Sequence, residues 1–84
     1  MHYQIENFCV TTNRTTLCAT ADLVLENKVC IHEIKLIRGK NKKLFLSLPT
    51  HKSGDKYIEI IAMLDLNMKK AIEQQMIALY HSRI

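Results

Sequence analysis

Apolar and polar residues alternate along most of the first half of the chain, and a period of two predicts strands with one buried face. From Leu17 to Leu25, the residues Leu17, Ala19, Ala21, Leu23 and Leu25 fall on one side and Cys18, Thr20 and Asp22 on the other. A second run sets Cys30, His32, Ile34 and Leu36 against Ile31, Glu33 and Lys35, and Leu44, Leu46 and Leu48 resume the alternation eight residues after Leu36. Tyr3 to Val10 predicts an earlier strand with a fault in it: Tyr3, Ile5, Phe8 and Val10 lose step between Ile5 and Phe8, as a bulge would require. The polar connection from Thr11 to Thr16, with Arg14 solvated at its tip, and the short turn Glu26, Asn27, Lys28 leave room only for antiparallel neighbours. The first four strands therefore read as a meander.

Pro49 has no N–H to donate to a sheet and ends the fourth strand. Residues 50–56 (THKSGDK) read as a flexible loop, and Tyr57 to Ile61 as a short fifth strand. The period then changes. Met68, Ile72, Met76, Leu79 and Tyr80 recur at three and four residues, one stripe of a helix that Asp65 or Asn67 can cap. The stripe covers the apolar face of the sheet. The expected fold is α+β, one domain over residues 1–84, with an antiparallel meander of four to five strands packed against one C-terminal helix.

With 84 residues the core is thin, and domains of this size commonly draw stability from a partner subunit, a disulfide or a metal. Cys9, Cys18 and Cys30 are odd in number and lack metal spacing, so they read as reduced thiols, with a Cys9–Cys18 bridge across the first hairpin as the alternative. Cys30 and His32 share a strand face, but two ligands alone do not make a zinc site, and no metal or cofactor is expected. The chain has neither an apolar run of membrane-spanning length nor the basic and apolar leader of a secreted protein. A cytoplasmic protein without a membrane partner is the expectation.

Charge adds what periodicity does not. The net charge is +4, yet residues 1–34 carry a net −2 and residues 35–56 a net +6, while the remainder balances. Arg38, Lys40, Lys42 and Lys43 crowd the predicted turn between the third and fourth strands, and Lys52 and Lys56 follow in the loop. Gly39 is read as supplying a strained backbone angle there. A cluster of cations without acidic neighbours suits phosphates, which it binds with affinity but little sequence discrimination.

The same stretch carries a family resemblance. IHEIKLIRG at Ile31 to Gly39 and LFLSLPT at Leu44 to Thr50 resemble the pattern V-H-D-I-x-V-I-x-G, three residues, L-F-V-x-M-P-S of the bacterial stage V sporulation protein G family, also called septation protein. Glu59 to Leu64 falls on that family's later D-I-A-H-P-I, and Tyr80 with His81 on the end of its final helix. Three departures stand out. The turn holds four residues instead of three and lacks a second glycine, Ala62 and Met63 replace His-Pro, and Lys69 stands where the family has an arginine. The resemblance implies a small homodimeric regulator of sporulation, septation or cell division that binds DNA or RNA, and it adds Lys69 and Lys70, near the helix start, to the nucleic-acid-binding candidates.

Nothing in the chain reads as a catalytic constellation: there is no G-x-S-x-G, no H-E-x-x-H and no phosphate-cradling glycine loop, so neither an enzyme nor a small-molecule substrate is expected. His32 reads as a partly buried strand histidine and not as a catalyst. The expected function is a dimeric nucleic-acid-binding regulator, paired through sheet edges, that uses Arg38, Lys40, Lys42, Lys43, Lys52, Lys56, Lys69 and Lys70. The alternative is a protein-interaction module of a regulatory pathway that makes no contact with nucleic acid.

Overall fold

The computed structural model describes residues 1–12 and 16–84; the expectation for Arg14 falls outside them. Strands β1 (Tyr3–Val10), β2 (Leu17–Leu25), β3 (Val29–Arg38) and β4 (Leu44–Ser47) form one antiparallel sheet in the order β1-β2-β3-β4. Strands β5 (Thr50–Ser53) and β6 (Lys56–Glu59) form a separate antiparallel pair, and helix α1 (Leu66–Arg83) closes the chain. The fold is α+β, as the alternation and the helical stripe imply.

Alternation places Ala19, Ala21 and Leu23 of β2 at the centre of the buried face, with Ile31, Ile34 and Leu36 of β3 and Leu46 of β4 beside them. Ile72 and Met76 of α1 complete this core with no exposed surface. Burying each of those two side chains is worth about 1.5–3 kcal/mol, so the helix belongs to the core. Asp65 caps α1: its side chain accepts the N–H of Met68 at 3.1 Å. At the other end Arg83 donates to the carbonyl of Phe8 at 3.1 Å and lies over the Phe8 ring, which ties the last turn to β1.

Three irregularities break the ladder. In β1 the partners change between Glu6–Asp22 and Cys9–Thr20, so Asn7 and Phe8 share the place opposite Ala21; Asn7 takes a left-handed φ of 54°. This is the fault predicted between Ile5 and Phe8. In β2 an extra residue, Cys18, lies between the pairs Leu17–Ile37 and Ala19–Leu36, which is why Cys18 and Ala19 are both buried. In β3 the partners change between Ala21–Ile34 and Leu23–Ile31, so His32 and Glu33 together face Asp22, with Glu33 at φ 59°.

The β3 bulge corrects the reading of that strand. One extra residue moves the buried set from odd to even positions, so Ile31 is inside along with Ile34 and Leu36. Cys30 and His32 are outside, and the His32 side chain is 75% exposed. It is not a partly buried strand histidine. Cys9 is exposed opposite Thr20 while Cys18 is buried, and all three thiols are free, so the alternative Cys9–Cys18 bridge is not formed.

Residues 50–56 are not a loop. Thr50–Ser53 pairs with Lys56–Glu59 across Gly54 and Asp55, a two-residue turn in which Gly54 takes φ +63° and so needs glycine. The fifth strand predicted over 57–61 is thus part of a hairpin outside the main sheet. Gly39 also differs from expectation: Lys42, at φ 65°, carries the left-handed angle of the β3–β4 turn. Gly39 has no left-handed angle, and a Cβ there would meet the Phe45 ring at 3.4 Å, an ordinary contact distance.

Candidate nucleic-acid interface

The β3–β4 ladder ends at Arg38–Leu44 and carries the basic turn to one end of the sheet, beside the second half of α1. Gly39 N–H donates to the Lys43 carbonyl and Lys42 N–H to the Gly39 carbonyl, while the Asn41 side chain accepts from Lys43 N–H. These bonds order the turn without using a lysine side chain. Arg38, Lys42 and Lys43 line a shallow depression of about 380 Å³ with Gln74, Ile77 and His81 of α1. Arg38 reaches the Tyr80 hydroxyl at 3.3 Å. Glu73 borders the depression, but its Oε2 accepts the Leu46 N–H at 3.0 Å.

A second concavity, about 400 Å³, opens on the sheet face turned away from α1. Lys35 and Ile37 of β3 and Phe45 of β4 alternate with the buried Leu36 and Leu46, and so form its floor; Thr50 and Tyr57 reach it from the β5–β6 hairpin. Phe45 is 43% exposed and Tyr57 70%. The Lys52 ammonium lies over the Tyr57 ring, 5.9 Å from its centroid. A smaller hollow of about 250 Å³ shares Phe45, Ser47 and Thr50 with this groove and is bordered by Glu59 and by Lys69 from the first turns of α1.

The eight candidates therefore divide. Arg38, Lys42 and Lys43 gather beside α1, and Lys52 and Lys69 flank the groove around Phe45 and Tyr57. Lys40, Lys56 and Lys70 are exposed and line none of these three concavities. Among the described residues the one contact within ion-pair distance of a carboxylate is His32–Asp22, so no acidic partner neutralises any of the eight. Lys35, Phe45, Tyr57 and His81 join the site only in three dimensions. The alternation of β3 and β4 does put Lys35, Ile37 and Phe45 on the outer face, and that was the available signal.

Electrostatics on the same outer face are different around Asp22. Its carboxyl is held below the usual aspartate range, first by the Asn7 side-chain amide and then by the Glu33 N–H, with His32 adding to the effect. The Cys30 thiol is pushed up, first by desolvation and then by the charges of Asp22 and Glu6. Among the described residues no helix is long and apolar enough to cross a membrane.

No curated protein matches the chain. A family model does, SpoVG, and it spans residues 3–82, nearly the whole length and all seven elements up to the last turn of α1. By that match, and in keeping with the motifs at Ile31 to Gly39 and Leu44 to Thr50, the chain belongs to the SpoVG family, that of stage V sporulation protein G.

Proposed function

We propose that this chain is a nucleic-acid-binding regulator that takes a single strand of RNA or DNA across its outer sheet face and works as a homodimer. Family membership supports a sporulation-related regulatory role, and SpoVG is not known as a family of enzymes. One observation carries the binding reading: unneutralised cations flank a groove whose floor and wall expose the rings of Phe45 and Tyr57. Aromatic faces stack on any base and lysines follow the phosphates, a combination that suits an unpaired strand better than a duplex, whose bases are already stacked. The β3–β4 turn extends the cationic surface beyond the groove.

The homodimer rests on the free edge of the sheet. Leu46 N–H on the β4 side is occupied by Glu73, whereas among the described residues no strand lies beyond β1, whose backbone Arg83 touches only at the Phe8 carbonyl. Pairing two β1 edges would satisfy their outward backbone groups and set two grooves on one particle.

Binding of labelled single-stranded and duplex oligonucleotides, followed by anisotropy across a salt series, tests this reading. Four engaged phosphates give a slope of log K against log salt of roughly −3 on a single strand. Lys42→Glu/Lys43→Glu flattens that slope and weakens binding, and Phe45→Ala weakens the single-strand complex more than any duplex complex. Binding that is insensitive to salt, or equal for wild type and the double variant, removes the proposed site.

A second reading has an observation of its own. Tyr57, Ile58, Ile60, Leu64 and Leu66 are all exposed along the segment from β6 into α1. Such an apolar run fits a protein partner of the regulator. A salt-insensitive protein complex that forms without nucleic acid would favour it.

A further inference from the structure

Two bulges on either side of β2 converge on one carboxylate. Asn7, in the β1 bulge, donates its side-chain N–H to Asp22 Oδ2 at 2.8 Å, and Glu33 N–H, in the β3 bulge, donates to Oδ1 at 3.3 Å. The β3 bulge also turns His32 back over Asp22, so that Nδ1 stands 3.2 Å from Oδ1. Cys30, two residues earlier on the same strand, brings Sγ to 3.8 Å from that nitrogen. Oxygen, nitrogen and sulfur all lie within 4.8 Å of one another.

Anchoring the bulges would need only Asn7, Asp22 and the Glu33 backbone. It leaves unexplained why an imidazole meets that carboxylate with a thiol beside its ring nitrogen. Tetrahedral zinc, with bonds of about 2.0 Å to oxygen and nitrogen and about 2.3 Å to sulfur, sets N–O and N–S ligand separations near ~3.3 and ~3.6 Å. The separations in the protein, 3.2 and 3.8 Å, are close to those of such a site.

We propose that Asp22, Cys30 and His32 bind a divalent zinc-like metal ion through Oδ1, Sγ and Nδ1, with water in the fourth position. A carboxylate and a thiolate together match the ion's double positive charge, and the Cys30 proton passes to solvent as the sulfur–metal bond forms. The donor set, one each of O, N and S, selects a borderline ion such as zinc over magnesium or calcium, which prefer oxygen alone. Asn7 holds the carboxylate oriented from behind, as the outer partners of metal ligands generally do. The ion would clasp β2 to β3 at the point where their ladder is broken. The inference does not depend on nucleic-acid binding.

Cobalt(II) is the probe, added to the chelator-treated, reduced full chain and followed by absorption. The expected result is one cobalt per chain, with a thiolate-to-cobalt charge-transfer band that zinc removes by competition. Cys30→Ser abolishes the band, His32→Ala weakens binding at least tenfold, and Asn7→Ala weakens it about 10- to 100-fold. Cys9→Ser, an exposed thiol elsewhere on β1, leaves band and affinity unchanged. Cys30 and His32 are surface side chains, so these variants fold, and unchanged far-ultraviolet dichroism verifies it. A wild type without the band, or a band that survives Cys30→Ser, overturns the proposal.

Discussion

Glu33 holds a left-handed backbone at φ 59° in the middle of a strand, a conformation that costs an L-residue about 1–2 kcal/mol. The bulge keeps it there because Asp22 accepts its N–H on one side and Ile31 and Ile34 are fully committed to the core on the other. A β-branched side chain tolerates this angle least. Glu33→Val should therefore lower stability further in urea unfolding, whereas Glu33→Gly relieves the cost Glu33 already bears and so loses nothing or gains. Equal losses for both variants would mean that the backbone angle is not what governs this position. Asn7 presents the same angle for a residue type that accepts it readily, and adds its side-chain bond to Asp22. The β1 bulge was legible from Tyr3, Ile5, Phe8 and Val10. The β3 bulge was not, because Cys30, His32, Ile34 and Leu36 form an unbroken alternation of plausible core residues.

Helix α1 is held by its start and by two points along its length. Asp65→Ala, which removes the cap on Met68 N–H, should cost about 1 kcal/mol, and Asp65→Asn much less. Ile72→Ala deletes a fully buried side chain beneath the sheet and should cost about 2–5 kcal/mol by chemical denaturation. If the two losses proved alike, Ile72 would not be the core contact described. Glu73 acts differently. It covers the β4 edge by accepting Leu46 N–H, so the helix both fills the core and occupies one side of the sheet. Of the remaining elements, the β5–β6 hairpin carried a usable sign in Gly54-Asp55, yet its strands lack the alternation of apolar residues that reveals a strand. All eight of its strand residues are exposed, and a pattern of burial cannot be read where nothing is buried.

The whole molecule is a flat body, 36 × 34 × 21 Å, whose two broad surfaces have separate chemistry. One is covered by α1. The other carries the groove with Phe45, Lys35 and Tyr57 and, at the opposite part of the sheet, Asp22 with Cys30 and His32. Self-pairing through β1 predicts a light-scattering mass of twice 9.7 kDa. Leu64→Asp, in the exposed apolar run, should leave that mass unchanged, since the run is assigned to a different partner. A monomeric Leu64→Asp protein would instead make the run the contact between copies. The concentration of charge in residues 35–56 was visible in one dimension, but its division into a cluster beside α1 and a flank along the groove depends on where the β3–β4 turn and the β5–β6 hairpin come to rest.

Local periodicity was enough to define the first four strands in their meander order and the phase of the helix, and it narrowed the cap to Asp65 or Asn67, of which the structure uses Asp65, because each depends on neighbours a few residues away. Register across strands is a different kind of information. It arises from packing between segments distant along the chain, and a single extra residue reverses every side chain beyond it. That is why the exposure of His32, its meeting with Asp22 and Cys30, the partners of Glu73 and the aromatic floor of the groove came into view only once the strands were laid side by side.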